Sequence, residues 1–179
     1  LMLQRQLMVA ELDRLVQPIH QQLTAGKEQL SIAYLPSMEL KSDSLDALSS
    51  DFRQRLQALR RKEIEQGMSL VGPHRDDLRF SVHDVDMNIF ASRGQQRTIA
   101  LSLKLAEAQF MHSKIDDHPV ILLDDVLSEL DSVRCHHLLE CITSYEQVLI
   151  TATDLHRFAP HFLAQAALFS VRDGKIEPV

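Results

Sequence analysis

The 179-residue sequence has few features of secreted or membrane proteins. It contains two cysteines, Cys135 and Cys141, and their six-residue spacing on one predicted helix separates them by about 9 Å along the axis, too far for a disulfide bond. No apolar run approaches the roughly 20 residues that span a bilayer, and the first segment lacks the small-residue cleavage site of a secretion signal. These absences predict a protein without a membrane span, in a reducing, cytoplasmic setting.

Positive charge is also scarce, since 19 lysines and arginines stand against 25 acidic residues, for a net charge of −6. An acidic chain does not attract a nucleic-acid backbone through its overall field. The densest local basic run comprises Arg53, Arg55, Arg60, Arg61 and Lys62. Such a run is usually a solvated helix face, and a contact patch for nucleic acid is the alternative.

The first 66 residues predict a mainly helical unit. Apolar residues at helical spacing favour a helix over residues 1–24, which Pro18 should kink or break, and alternation favours a strand over 29–35. A second helix is predicted over 45–65, ended by Gly67. The residues predicted to face inward on the two helices are Met8, Leu12, Leu15, Ile19, Leu23, Leu45, Leu48, Phe52, Leu56 and Leu59. Because the chain starts with Leu1 in mid-pattern, we expect it to be part of a longer polypeptide.

Residues 67–179 predict an α/β domain. The pattern indicates a hairpin of strands 78–82 and 86–90 that turns at His83–Asp84, followed by a largely buried helix over 95–111. An uninterrupted apolar run at 120–123 is typical of a strand covered on both faces. A helix over 132–142, a buried strand over 148–150 and a closing hairpin around Asp173–Gly174 complete the domain.

Two adjacent carboxylates, Asp124 and Asp125, directly follow the apolar strand. Open α/β sheets bind ligands at the carboxyl ends of their strands, and one carboxylate there can hold Mg²⁺ directly or through water. Its neighbour on an extended chain projects the other way, which suits a base that orients attacking water. The alternative is a strand that simply ends at the surface with two acids.

A second candidate site is the segment Ala91-Ser92-Arg93-Gly94-Gln95-Gln96-Arg97 at the start of the buried helix. A hydroxyl, a glycine and free backbone N–H groups at the positive end of a helix dipole form a good anion site. Ser92 as a simple helix cap and Gly94 as a turn residue are the alternatives.

These strings resemble motifs of the ABC-type ATPases. The run 120–125 resembles a Walker B motif, Ser128-Glu129-Leu130-Asp131 resembles a D-loop, and the segment from Ser92 resembles the signature motif. Transporters of this superfamily usually carry Glu-Pro after the first acid, whereas Asp125-Val126 stands here. Gly72-Pro73-His74-Arg75-Asp76-Asp77, a turn feeding a strand, resembles a string of the RecF family, an SMC-like branch that acts in bacterial DNA repair.

The resemblance implies the carboxy-terminal part of an ABC-type ATPase head with the helical unit 1–66 appended, and it implies ATP and Mg²⁺ as cofactors. Asp124 would position the metal and Asp125 would be the catalytic base. Ser92, Gly94 and Gln95 would contact the γ-phosphate of ATP held by the opposite subunit. Asp131 would lie at the dimer seam, or equally cap the following helix.

The sequence departs from the family pattern at two points. It contains no G-x-x-x-x-G-K-[ST], so we expect this phosphate-binding loop in a missing amino-terminal portion. No histidine directly follows the last core strand to sense the γ-phosphate. Thr151 and Thr153 are both candidates to replace it, and His156 is expected on the surface.

The family function implied is that of an ATP-dependent DNA clamp. It would form a homodimer in the ATP state, hydrolyse ATP slowly and assist RecA loading at gapped DNA with RecR and RecO. The fragment alone would be inactive. One alternative is a DNA-binding module for which nucleotide is only a switch. Another, the ATPase subunit of a different ABC-type assembly such as a transporter, is disfavoured by the absent Glu-Pro and by the helical unit.

Overall fold

Helices and strands alternate along most of the chain, which confirms the predicted α/β class. The structure is a computed structural model that describes residues 1–42, 44–115 and 117–179. Its elements are α1 (Met2–Leu23), β1 (Leu30–Leu35), α2 (Leu45–Gln66), β2 (Asp77–Val82), β3 (Val85–Asp86), α3 (Met87–Phe90), α4 (Arg93–Ile115), β4 (Ile121–Asp124), a 3₁₀ turn (Val126–Glu129), α5 (Ser132–Ile142), β5 (Val148–Thr151), α6 (Pro160–Leu163), β6 (Phe169–Arg172) and β7 (Lys175–Pro178). None of the helices in these described ranges is long and apolar enough to cross a membrane.

Helix α1 continues through Pro18, so of the predicted kink or break at this residue the break is wrong. Proline inside a helix removes one hydrogen bond and costs about 3 kcal/mol. The helix packs against β1 and α4 with Val16 and Ile19 buried on either side of the proline, and this packing offsets the cost. Met8 was predicted to face inward but is 42% exposed, and its neighbour Val9 is buried instead.

An antiparallel sheet joins distant parts of the chain, with strand order β1-β2-β3. Leu30 lies opposite Val82 at one end of the β1–β2 ladder and Leu35 opposite Asp77 at the other. This ladder connects the ranges 1–66 and 67–179. Their division into two units stays a prediction.

The second strand of the predicted hairpin is shorter than expected, because β3 covers only Val85–Asp86 and residues 87–90 form the helical turn α3. The turn itself lies where predicted, with His83 and Asp84 both at positive φ. Asp86 caps α3 by accepting from the N–H of Asn88 at 2.9 Å. The side-chain amide of Asn88 then bonds to the backbone of β2, at the carbonyl of Leu78 (2.8 Å) and the N–H of Phe80 (3.2 Å), where a longer strand would have paired.

Helix α2 has the predicted bounds within one residue and ends at Gly67, which is left-handed with φ of 65°. The residues of α2 that are predicted to face inward are less buried than expected. None of its residues, all of which are described, is buried, and Leu45 is 71% exposed. The helix therefore lies on the surface rather than in the core.

The strands β4 and β5 form a parallel pair in which Ile121 lies opposite Val148 and Asp124 opposite Thr151. Within this chain only one face of β4 is covered, since Leu123 is 6% exposed but Leu122 is 71% exposed. The prediction of two covered faces is thus not met by the described residues. Helix α5 buries the four residues predicted to face inward, Cys135, Leu138, Leu139 and Ile142. The closing hairpin β6–β7 is confirmed.

Candidate functional site

Asp124 and Asp125 lie at the carboxyl end of the parallel pair, and Thr151 of the neighbouring strand links them. The hydroxyl of Thr151 donates to the carboxylate of Asp124 and accepts from the backbone N–H of Asp125 at 3.0 Å. Both acidic residues are exposed. The predicted position of the two carboxylates at a strand end is thus confirmed by the fold.

Asp125 does not continue the strand, and the extended geometry assumed for it is wrong. Its φ is 50°, in the left-handed region, and the 3₁₀ turn begins at the next residue. Aspartate and asparagine adopt this conformation more readily than most residues. The Asp125 carbonyl accepts from the N–H of Ser128 at 3.2 Å and from its hydroxyl at 2.8 Å, and these bonds hold the turn that presents the Asp125 side chain.

The oxygen atoms at this strand end fit a magnesium ion. The carboxylate of Asp124 is a hard oxygen donor, the type that Mg²⁺ prefers, and the Thr151 hydroxyl holds it by a hydrogen bond. The described residues contain no cluster of three or more His, Cys, Asp or Glu that could form a full protein cage. An ion that keeps waters and nucleotide phosphates as its other ligands suits such a sparse set.

Asp131 caps helix α5, which is one of the two roles considered for it. Its carboxylate accepts from the N–H of Arg134 at 2.9 Å and pairs with the Arg134 guanidinium at 3.2 Å. The same guanidinium lies beside Gly94, 3.5 Å from where a Cβ at Gly94 would be. Arg134 thus connects the start of α5 with the start of α4.

Ser92 and Gln95 form a reciprocal cap at the start of α4. The Ser92 hydroxyl accepts from the Gln95 N–H at 3.2 Å, and Gln95 Oε1 accepts from the Ser92 N–H at 3.1 Å. This is the capping-box arrangement, which satisfies two otherwise free donors. The hydroxyl hydrogen of Ser92 is not used by this bond, so it can still be donated to an anion.

Gly94 lies inside the first turn of α4, so the alternative interpretation of Gly94 as a turn residue is wrong. A Cβ there would make ordinary van der Waals contact with Arg134 and nothing closer. Glycine in a helix costs roughly 0.5–1 kcal/mol relative to alanine. Among the described residues, neither the backbone conformation nor the packing requires a glycine at this position.

Two arginines that sequence reasoning missed hold the 3₁₀ turn and the residue that follows it. Arg157 donates to the carbonyls of Leu127 at 2.9 Å and Leu130 at 2.8 Å. Arg97 forms a two-point ion pair with Glu129, at 3.0 and 3.1 Å, and so joins the first turns of α4 to this segment. These partners are far apart in sequence, and no local pattern marks them.

The Gly72–Asp77 string, for which the sequence suggests no role beyond a turn, contains a buried carboxylate, that of Asp76. The side chain of Asp76 is 1% exposed and accepts from the hydroxyl of Tyr34, from the N–H of Ser37 at 2.8 Å and from the Ser37 hydroxyl at 2.9 Å. Arg5 also reaches it at 3.5 Å. Gly72 has φ of 133°, a conformation that other residues rarely adopt. The string therefore anchors β1, β2 and α1 to one another.

The site residues fall into two groups within the chain. Asp124, Asp125 and Thr151 form one group, and Ser92, Gly94 and Gln95, with Asp131 close by through Arg134, form the other. Among the described residues, no hydrogen bond connects the two acidic residues of the first group with Ser92 or Gln95. His156 is exposed, as predicted.

Solved structures with the same fold define the class of the molecule. The chain is similar to the recombination mediator protein RecF-ATPrS in the RecFOR pathway, at 28% identity with a TM-score of 0.79, covering 99% of this chain and 46% of that one. An SMC ATPase structure, at 17% identity, covers 96% of this chain with a TM-score of 0.53 and shows the fold alone. The fold is that of an ABC-type ATPase head of the RecF and SMC kind.

The curated relatives narrow the class to one family. The chain is 42% identical over 170 residues to the DNA replication and repair protein RecF of Shouchella clausii, covering 94% of this chain and 46% of that protein. It is 43% identical over 169 residues to RecF of Bacillus subtilis, covering 93% and 45%. No protein-family model matches. The chain belongs to the RecF family and spans a little under half the length of these relatives.

Proposed function

We propose that the chain works as the carboxy-terminal part of an ATP-dependent DNA clamp in recombinational repair. The observation that carries this proposal is the grouping of Asp124, Asp125 and the Thr151 hydroxyl at the open end of the parallel strands β4 and β5. In α/β sheets this edge is where nucleotides bind. The phosphate-binding loop would come from an amino-terminal portion of the same protein.

Asp124 is proposed to hold Mg²⁺, which when bound supplies positive charge to the phosphates. Asp125 is proposed to accept the proton of the attacking water as the catalytic base. Its backbone is held by Thr151 on one side and Ser128 on the other. Because the residue is exposed and outside the strand, its carboxylate is free to face a nucleotide.

The second group acts, in this proposal, on the nucleotide of the opposite protomer. Ser92, Gly94 and Gln95 would contact its γ-phosphate, and Asp131 would lie at the seam while it caps α5. The resemblance of the segment from Ser92 to the ABC signature motif supports this division. A head-to-tail pair would bring the groups together, so ATP binding would close the dimer and slow hydrolysis would reopen it.

DNA is the proposed macromolecular ligand, and RecR and RecO are the proposed partners in loading RecA at gapped DNA, in the cytoplasm. The net charge of −6 limits DNA contact from this chain to local patches. The exposed residues of α2, which include the basic run, are the candidate on this chain. The hydroxyl of Thr151 is bonded to the Asp124 carboxylate and to the N–H of Asp125. Thr151 and Thr153 both stay candidates for sensing the γ-phosphate.

The experiment uses Asp125→Asn in a full-length RecF protein that contains this chain. Asparagine tolerates the left-handed backbone of Asp125 but cannot accept the proton. We expect ATP binding at parental affinity, loss of turnover and accumulation of a closed dimer. Turnover is measured by phosphate release, and dimerisation by light scattering.

The matched control is Asp173→Asn, because Asp173 is an exposed turn residue with the same φ of 50°. This control should hydrolyse ATP at the parental rate. Parental turnover by Asp125→Asn would show that Asp125 is not the base, and would favour a module for which nucleotide is only a switch.

A further inference from the structure

The side chain of Gln95 is held at both ends of its amide. Oε1 accepts from the Ser92 N–H at 3.1 Å, and Nε2 donates to Oε1 of Glu28 at 3.1 Å. The reverse orientation would place the amide oxygen against a carboxylate, so the two contacts together fix one orientation. The geometry of the Ser92–Gln95 cap thus depends on a residue 67 positions away.

Glu28 lies between α1 and β1 and bridges Gln95 to a buried histidine. Its second oxygen is 3.1 Å from Nε2 of His20, a side chain that is 0% exposed. Nδ1 of His20 is 2.9 Å from the Ser102 hydroxyl, whose single hydrogen can be donated to Nδ1 or to the carbonyl of Thr98, 2.7 Å away. Because a carboxylate only accepts, Nε2 of His20 is the donor to Glu28, and Nδ1 of the neutral ring is an acceptor for the Ser102 hydrogen.

These contacts form a ring that is bonded to helix α4 at two residues, Gln95 and Ser102. Gln95 and Ser102 are seven residues apart and therefore lie on the same face of α4, two turns from each other. Between them the Thr98 hydroxyl donates to the carbonyl of Gly94 at 2.9 Å. Because the ring is largely buried and its polar atoms are paired, loosening one contact leaves other buried groups unsatisfied.

We propose that Glu28 is a positioning residue for the segment Ser92–Gln95. It acts through the Gln95 amide, so that the junction of α1 and β1 sets the geometry of the surface offered to the opposite protomer's nucleotide. This inference rests on the proposed function, in which Ser92, Gly94 and Gln95 act across the dimer seam. Glu28 itself is not proposed to touch the nucleotide.

The test compares Glu28→Ala and Glu28→Gln in a full-length RecF protein that contains this chain. For Glu28→Ala, the protein concentration at half-dimerisation with ATP should rise about tenfold, as expected for one lost hydrogen bond to a charged group. The monomer's affinity for a fluorescent ATP analogue should be unchanged. Glu28→Gln should restore dimerisation, because its carbonyl can accept from Gln95 and its amide can donate to Nε2 of neutral His20, whose single hydrogen then lies on Nδ1 and is donated to the Ser102 hydroxyl.

The control is Glu39→Ala, which removes an 80% exposed glutamate whose partner is the exposed Lys41. It should dimerise like the parent. In a double-mutant cycle, Glu28→Ala added to Gln95→Ala should cause little further loss, because Glu28 acts through Gln95. Fully additive losses would overturn the proposal, as would parental dimerisation by Glu28→Ala.

If Glu28→Ala does not fold, Glu28→Asp serves as the test. It keeps the charge near His20 but is one methylene too short to hold both partners, so dimerisation should weaken. Parental dimerisation by this variant would overturn the proposal. Ser92→Arg is measured beside it: a Ser92→Arg protein that still dimerises with ATP contradicts the proposed function, whereas loss with Ser92→Arg but not with Glu28→Asp contradicts only the role of Glu28.

Discussion

The hydroxyl group of Ser92 already has one partner inside the chain, since it accepts from the Gln95 N–H. The cap and the proposed contact with a nucleotide are therefore compatible, because acceptance uses a lone pair and leaves the hydrogen to donate. Mutation of Ser92 should show both losses, and they can be separated by what is measured.

Ser92→Arg in a full-length RecF protein should lose about 1 kcal/mol of stability with the cap. The bulky cation should also abolish ATP-induced dimerisation while leaving monomer affinity for ATP within a few-fold. Ser44→Arg is the matched control, because Ser44 caps the exposed helix α2 by accepting from the N–H of Ala47. Light scattering with and without ATP, beside a thermal melt, separates the two. An ATP-dependent dimer of Ser92→Arg with only a lowered melting temperature would contradict the role across the seam.

The carboxylate of Asp76 is buried among hydrogen-bond donors from Tyr34, Ser37 and Arg5. Its burial favours the neutral acid, but hydrogen bonds from Tyr34 and Ser37 and the charge of Arg5 outweigh that effect and hold its pKa below the ordinary value. Burial, together with the neighbouring carboxylate, raises the pKa of Tyr34 to about 12, so this hydroxyl stays protonated and donates. A carboxyl group with a lowered folded-state pKa stabilises the fold above its unfolded pKa, and this contribution is lost as pH falls through the folded pKa.

We expect Asp76→Asn to lower the free energy of unfolding by about 1–3 kcal/mol at pH 7, because one buried oxygen becomes a donor facing donors. The difference from the parent should stay constant down to about pH 5 and shrink below about pH 4, near the unfolded pKa of aspartate. Urea unfolding at a series of pH values measures it, with the exposed Asp77→Asn as control. A difference that does not change with pH would show that the charge of Asp76 contributes nothing.

At the scale of elements, the sequence predicts best where apolar spacing or a local turn signal decides the outcome. The bounds and buried face of α5 are predicted correctly, and so are the strands β4 and β5 within one residue and the closing hairpin at Asp173–Gly174. Prediction is wrong where side chains or packing override the local pattern. The Asn88 amide replaces a strand pairing, and packing carries α1 through Pro18.

For the candidate site too, local sequence patterns are predicted correctly and contacts between distant segments are not. Asp124, Asp125 and Ser92 are found because each belongs to a continuous string, and the structure places each at the predicted end of its strand or helix. Their supporting partners, such as Arg157 and Glu28, could not be found in the same way. Each binds a segment that only folding brings near, and a single sequence carries no signal for such pairs.

Asp131 has two proposed roles, the cap of helix α5 and a contact at the dimer seam, and two substitutions can separate them. Asp131→Ala should cost about 1 kcal/mol of stability through loss of the α5 cap, whereas Asp131→Asn should keep the cap and the stability. If its negative charge also acts at the seam, Asp131→Asn should weaken ATP-dependent dimerisation although its melting temperature is parental. Thermal melts and light scattering on both variants measure this. Parental dimerisation by Asp131→Asn would limit the residue to the cap.

At the scale of the whole molecule, the chain covers less than half of its relatives and contains no G-x-x-x-x-G-K-[ST]. We therefore expect the purified 179-residue chain to bind ATP weakly and to hydrolyse it negligibly, because no loop or lysine holds the phosphates. Phosphate release and fluorescence titration with an ATP analogue measure both, with a full-length RecF protein as the positive control. Clear turnover by the chain alone would contradict the proposed need for an amino-terminal portion.

The exposed helix α2 also has a consequence for how the length of this chain can change. The strands β1 and β2 pair with each other although α2 and its flanking segments separate them, and α2 contributes no buried residue to the core. The entropy lost when a loop closes grows only with the logarithm of its length, at about 0.6 kcal/mol for each doubling. The fold would therefore tolerate a longer or shorter segment between β1 and β2 at little thermodynamic cost, as long as the hydrogen bonds around Asp76 keep the two strands together. We expect related chains to differ in length between these two strands.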